Sequence, residues 1–214
     1  MIRVLICDDH AIVRQGLCQV IAETTDIRAV AEASGYPEVM TPLRSMEIDM
    51  LLLDISMPGK NGIEILKIVK KEFPKLPVLI LSMYPEDQYA VRAIRAGASG
   101  YMTKQSAADR LIKAVRQVVG GRKYITPELA VALANNLGRN TDVMPHEVLS
   151  DREYQTLCLI AAGRTLSEIA VELSLSAKTV SVYRARLLEK MALKNNAELT
   201  HYALKYALVE LDAH

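Results

Sequence analysis

Residues 1–120 predict an α/β domain on a parallel sheet, and residues 149–214 a small all-α domain of four helices. Two observations predict the first. Five short apolar runs alternate with helix-period segments, and four of these runs end in a residue suited to phosphoryl chemistry. One observation predicts the second. A capping box at Ser150 opens a series of short helical stretches separated by Gly, Ser and Asn.

Taken in order, the strands are expected at 2–7, 27–32, 49–54, 78–82 and 100–103, and the helices at 11–24, 36–46, 62–72, 87–96 and 107–119. The helix at 62–72 carries Ile63, Leu66, Ile68 and Val69 at near-helical spacing, while Lys67, Lys70 and Lys71 can face water. In 36–46, Pro37 suits a first turn, but Pro42 is expected to kink the interior. Gly97 ends the fourth helix through a left-handed cap. Gly120-Gly121 closes the fifth helix and the first domain, 1–120. A linker, 121–148, follows. It holds an extended piece, Lys123-Tyr124-Ile125, and a helix from Thr126-Pro127-Glu128 to about Asn136. Its remainder is a polar tether with Gly138, Asn140, Thr141, Asp142 and Pro145. In 149–214, helices are expected from Ser150 to Gly163, over Leu166–Leu173, over Ala177–Met191 with Ser176 as cap, and over Ala197–Ala207.

Composition bounds the function classes. Half of the 214 residues are hydrophobic, enough for two cores, and the net charge of +1 argues no global affinity for polyanions or membranes. Positive charge is instead local: Lys178, Arg184, Arg186, Lys190 and Lys194 face a single acid, Glu189, within 176–195. Cys7, Cys18 and Cys158 form an odd, scattered set, read as buried thiols of a reducing cytosol. Cys7-Asp8-Asp9-His10 lacks the spacing of a four-ligand zinc site. The first apolar run is too short for a signal peptide, and none reaches membrane-spanning length, so a cytoplasmic protein is expected with no membrane partner.

The chemistry lies at the strand ends. The runs lead into Asp8-Asp9, Asp54, Ser82 and Lys104, and a parallel sheet brings all strand carboxyl ends to one edge. Each residue alone is more readily a helix cap, a turn residue or a solvated charge; their joint placement reverses that and argues for a site. Three adjacent carboxylates call for a divalent cation, and magnesium fits their hard oxygens. Asp9 and Asp54 are expected to bind it directly and Asp8 through water. Asp54 is the candidate nucleophile, Lys104 would neutralise phosphate oxygens, and Ser82 would donate a hydrogen bond to one.

Residues 2–120 resemble the receiver domain of two-component response regulators, on Asp8-Asp9, Asp54 with Met57-Pro58 and Asn61-Gly62, Ser82, and Tyr101 with Lys104. The resemblance implies a flavodoxin-like (βα)5 fold with sheet order 2-1-3-4-5. It implies phosphorylation of Asp54 by a sensor histidine kinase or phosphotransfer protein with Mg2+, the Ser56 backbone carbonyl joining the metal. It further implies that Ser82 moves toward the phosphate while Tyr101 swings inward, remodelling the face of the fourth helix, fifth strand and fifth helix. Met83 stands where many receivers have a smaller residue, and is expected to narrow access to the phosphate.

The helices at 166–173 and 177–191 have helix-turn-helix proportions, with Ile169, Ala170, Leu173, Leu175, Val180 and Leu187 able to pack them together. The opposite face offers Lys178, Thr179, Ser181, Val182, Arg184, Arg186 and Lys190, a mixture suited to phosphates and base edges, or equally to a basic solvated helix. Leu149–Ala207 resembles LuxR-type domains, on Leu149-Ser150-Asp151-Arg152-Glu153, Leu166-Ser167-Glu168-Ile169-Ala170 and Ser176-Ala177-Lys178-Thr179-Val180. The whole chain is similar to NarL/FixJ-family response regulators. Ser181 and Tyr183 depart from the Lys and His common there, and Arg164-Thr165-Leu166 from a Ser-Asn pair. The resemblance implies a double-stranded DNA operator and a homodimer when active, with the fourth helix (Tyr202, Leu204, Tyr206) as a dimer surface or a core cover. Three rivals remain in view: a magnesium-dependent phosphatase, a phosphorylation-independent regulator, and a protein-binding module. No turnover enzyme is expected, because Ser56 stands where such phosphatases need an acid two residues beyond the nucleophile.

Overall fold

The structure is a computed structural model. It describes residues 1–84, 86–105, 108–137, 144–206 and 208–209, with 86–88 and 135–137 described by their backbone alone. The tether residues Gly138, Asn140, Thr141 and Asp142, together with Ala107, Ala207 and residues 210–214, lie outside the described residues. The chain divides into two compact units, Met1–Asn136 and Leu137–His214.

The first unit alternates strand and helix: β1 (Ile2–Cys7), α1 (Ala11–Ala22), β2 (Ile27–Ala33), α2 (Tyr36–Ser45), β3 (Met50–Asp54), α3 (Gly62–Glu72), β4 (Val78–Ser82), α4 (Glu86–Arg95), β5 (Gly100–Thr103) and α5 (Ala108–Val119). All strand pairs are parallel and the sheet order is β2-β1-β3-β4-β5. Strand alternation divides the core. Val4, Ile6, Met50, Leu52, Leu79, Leu81 and Met102 pack against Ile21 of α1 and Leu111, Ala114, Val115 and Val118 of α5. Leu5, Leu51, Leu53 and Ile80 point to the other face, where α2, α3 and α4 contribute Val39, Leu66, Val69 and Ala93 to the buried set.

Local chemistry ends the elements. α1 stops two residues earlier than expected because the Thr24 hydroxyl donates to the Ile21 carbonyl at 2.8 Å. Ala98 N–H donates to Ala93 and Gly97 N–H to Ile94, with Gly97 at φ +101, the left-handed cap expected. α2 runs through Pro42 as the expected helix at 36–46 does, with Val39, Met40 and Leu43 buried. Tertiary packing outweighs the lost backbone donor there. β2 extends to Ala33 through a register shift opposite Val4 and Leu5. Beyond α5, Tyr124 forms a parallel bridge to Gly100 at the outer edge of β5, and α6 (Pro127–Leu137) follows.

The second unit begins with a 3-10 turn (Pro145–Val148), then α7 (Asp151–Ala161), α8 (Leu166–Glu172), α9 (Ala177–Met191) and α10 (Asn196–Lys205). α7 packs against α9 and α10, and α8 against α9. Leu157, Ile169, Val180, Leu187, Leu199 and Ala203 are fully buried among them. Ser150 and Glu153 form the expected capping box, and Thr165 with Glu168 forms a second. Among the described residues no helix is long and apolar enough to cross a membrane.

Candidate functional site

β1 and β3 run side by side with Cys7 opposite Leu53, so Asp8, Asp9 and Asp54 leave the sheet at one edge. β4 and β5 pair Ser82 with Thr103, which brings Ser82 and Lys104 to the same edge. The Lys104 N–H donates to the Ser82 carbonyl at 2.7 Å, holding the two strand ends in register.

Lys104 sits between two acids. Its ammonium is 2.6 Å from Asp8 Oδ2 and 3.0 Å from Asp54 Oδ2. Asp8 Oδ1 faces the other way, accepting the His10 backbone N–H at 2.8 Å. Asp54 is buried, and its Oδ1 has no hydrogen-bond partner among the described residues. Ligand atoms of Asp8, Asp9, His10 and Asp54 all lie within 4.8 Å of one another. A buried, unpartnered carboxylate oxygen amid three acids fits a hard divalent cation. Burial pushes the Asp54 carboxyl up to about 6; Lys104 opposes this and Asp8 adds to it. Burial works against the Lys104 ammonium, yet Asp54 and Asp8 hold its pKa above the usual value. Burial, then Asp54 and Asp8, push the Cys7 thiol up to about 12, so it is a packing group, 3.6 Å from Met57 Sδ, rather than a nucleophile.

The loop after Asp54 is closed by α3. Asn61 accepts the Glu64 N–H at 2.9 Å, and Glu64 in return accepts the Asn61 N–H at 2.9 Å. The Gly62 N–H donates to the Ile55 carbonyl at 2.9 Å. A Cβ at Gly62 would stand 1.9 Å from the Asp54 carbonyl oxygen, so only glycine fits. Arg14, one turn into α1, donates to the Asp8 carbonyl at 2.7 Å and steadies the other loop.

Ser82 and Tyr101 meet on one residue between them. The Ser82 hydroxyl accepts the Tyr84 N–H at 3.0 Å, and the buried Tyr101 hydroxyl donates to the Tyr84 carbonyl at 2.9 Å. This link was not legible in the sequence, because it runs through loop backbone. Met83 is 59% exposed.

In the second unit, Ser174 at φ +52 turns the chain between α8 and α9. Ser176 caps α9, accepting the Thr179 N–H at 3.0 Å. The seven basic-face residues fall into two groups. Lys178, Val182 and Arg186 are exposed and have no side-chain hydrogen bond or ion pair among the described residues. The others have partners. The Thr179 and Ser176 hydroxyls are 2.7 Å apart, and Ser181 donates to the Ala177 carbonyl at 2.9 Å. Arg184 Nε donates to Asn196 Oδ1 at 2.6 Å. Lys190 pairs at 2.7 Å with the buried Glu153, which the sequence suggested only as a cap partner. Leu173, Val180 and Leu187 are buried as expected, and Leu175 is half-buried.

Residues 4–116 match the family described as the response regulator receiver domain, and residues 147–203 match bacterial regulatory proteins of the luxR family. The chain is 33% identical to the response regulator GacA of Pseudomonas viridiflava over 214 residues, covering all of both chains. It is 32% identical to the response regulator UvrY of Escherichia coli over 209 residues, 97% of this chain and 96% of that one. Among solved structures it is similar to RcsB of Salmonella enterica serovar Typhimurium bound to the rprA promoter in the presence of the phosphomimetic BeF3-. There the TM-score is 0.62 and the identity 26%, over 94% of this chain and 97% of that chain.

Proposed function

The chain belongs to the response regulators that join a receiver domain to a LuxR-type DNA-binding domain, and on that premise we propose that Asp54 is its phosphoacceptor and that phosphorylation controls sequence-specific DNA binding. The observation that carries this reading is the buried Asp54 carboxylate, its Oδ2 3.0 Å from the Lys104 ammonium and its ligand atoms grouped with those of Asp8 and Asp9. A carboxylate oxygen of Asp54 attacks phosphorus of a phosphohistidine on a kinase or phosphotransfer protein. The new O–P bond forms as the P–N bond breaks, and the imidazole leaves with a proton from solvent. Lys104 stands ready to pair with a phosphoryl oxygen. A magnesium ion held by Asp9 and Asp54, by Asp8 through water and by the Ser56 carbonyl would neutralise the remaining phosphoryl charge. Ser82, turning its hydroxyl to the phosphate, releases the Tyr84 N–H and so disturbs the residue that Tyr101 holds. The site is a switch and not a turnover enzyme, since Ser56 offers no acid two residues after Asp54.

In the second unit we assign α9 to the major groove, with Lys178 and Arg186 on phosphates, Val182, Thr179 and Ser181 at base edges, and the terminal nitrogens of Arg184 on phosphate. Two copies would read two half-sites of a double-stranded operator, the protein working in the cytoplasm as a phosphorylation-promoted homodimer. DNA-bound and dimeric solved relatives support this reading: RcsB is recorded both on a promoter and as two dimers on two DNAs.

Intact mass after incubation with Mg2+ and a small-molecule phosphodonor tests the acceptor. One phosphoryl group on the parent chain and none on Asp54→Asn is expected. Equal phosphate on both removes Asp54 from the role.

A further inference from the structure

We propose that His10 is a fourth protein ligand of the cation site, and that it shifts the site's preference from Mg2+ toward borderline divalent ions such as Co2+ and Zn2+. The inference rests on reading Asp8, Asp9 and Asp54 as that site. His10 Nδ1 lies 2.8 Å from Asp9 Oδ1 and 3.3 Å from Asp8 Oδ1. Neighbouring ligands of an octahedral ion with bonds of about 2.1 Å are about 3.0 Å apart, and opposite ones about 4.2 Å. Both His10 distances are those of adjacent ligands.

The surrounding contacts direct the acids toward the same point. Lys104 occupies Asp8 Oδ2 and Asp54 Oδ2, and the His10 backbone N–H occupies Asp8 Oδ1, which leaves Asp9 and Asp54 Oδ1 to meet an ion directly and Asp8 to meet it through water. Helix capping does not account for the His10 side chain: His10 is the N-cap residue of α1, yet its ring makes no capping bond. The ring is 62% exposed, so it can turn its Nδ1 lone pair to an ion while Nε2–H faces water. An imidazole nitrogen is a poor ligand for Mg2+ and a good one for later first-row ions. Adding it to a three-carboxylate set raises affinity for those ions and does little for magnesium.

The test uses the full-length protein and two readouts. Pulsed EPR of the Mn2+-loaded chain reads nitrogen coupling to the bound ion, and calorimetric titration reads the ratio of Co2+ to Mg2+ affinity. The parent should give histidine nitrogen couplings that vanish in His10→Gln and fail to form in Asp54→Asn. The Co2+ to Mg2+ ratio should fall at least about tenfold in His10→Gln. Bound Mn2+ without nitrogen coupling, or coupling that persists in His10→Gln, overturns the assignment of His10 while leaving the carboxylate site intact. No Mn2+ bound by the parent overturns the carboxylate site and this inference together. Mass spectrometry of the phosphorylated chain decides the role of Asp54 independently of either result.

Discussion

The buried Asp54 carboxylate is maintained at a free-energy cost when no cation is present. Its folded pKa, about 6, lies above the value of about 4 expected when unfolded. The metal-free protein therefore loses stability as pH rises from about 4 through about 6, by an amount on the order of 3 kcal/mol at neutral pH. Urea denaturation in EDTA should show this decline; Mg2+ should abolish it, and Asp54→Asn should be more stable than the parent in EDTA at pH 7. A parent whose stability in EDTA is flat from pH 4 to 7 would contradict the burial argument. Gly62 permits the close approach of α3, so Gly62→Ala must displace the Asp54 backbone. It should lose more than about 2 kcal/mol and most phosphoryl acceptance, read by denaturation and intact mass. The acids, the lysine and Ser82 were legible because strand ends announce themselves as apolar runs halted by a polar residue. The meeting of Ser82 and Tyr101 on Tyr84 was not, because backbone groups of a loop carry no side-chain signature.

Secondary elements were legible where the apolar period was strong and where cap chemistry marked an end. α3, α7 and α9 have the starts their sequences announce, each with a side-chain cap from Asn61, Ser150 or Ser176. α2 passes through Pro42 as the expected helix at 36–46 does, and burial of Val39, Met40 and Leu43, a tertiary effect that local propensity cannot express, supports it there. The end of α9 is instructive in another way. Ala192 takes the left-handed conformation at φ +53 that glycine normally supplies, with its N–H bonded to the Glu189 and Leu188 carbonyls. A Cβ in that region costs roughly 1–2 kcal/mol. Ala192→Gly removes it at the expense of backbone entropy, so the variant should be more stable by about 0.5–1 kcal/mol, read as an upward shift of the urea midpoint. A destabilised variant would show that the Ala192 methyl makes packing contacts worth more than the strain.

At the scale of the whole molecule, a net charge of +1 gives no global pull on a polyanion, and with DNA contact assigned to the basic face of α9, binding should weaken steeply with salt. Arg186→Ala should lower affinity for any DNA sequence and reduce the slope of log affinity against log salt by about one. Lys190→Ala should act through stability, by about 1 kcal/mol, because it strips the buried Glu153 of its charged partner. Gel-shift titrations over a salt series, paired with thermal melts, separate the two outcomes. An unchanged salt slope in Arg186→Ala would take that residue off the DNA surface. The sheet carries a consequence of a different kind. A five-stranded parallel sheet has two outer strands, and each is a template on which a foreign chain can grow. Here β2 sets Arg28 and Glu32 into solvent, while beyond β5 the chain returns so that Tyr124 N–H reaches the Ser99 carbonyl at 2.8 Å. Both rims are thus guarded, one by charge and one by the protein's own backbone, and copies crowded together in a cell are kept from polymerising edge to edge.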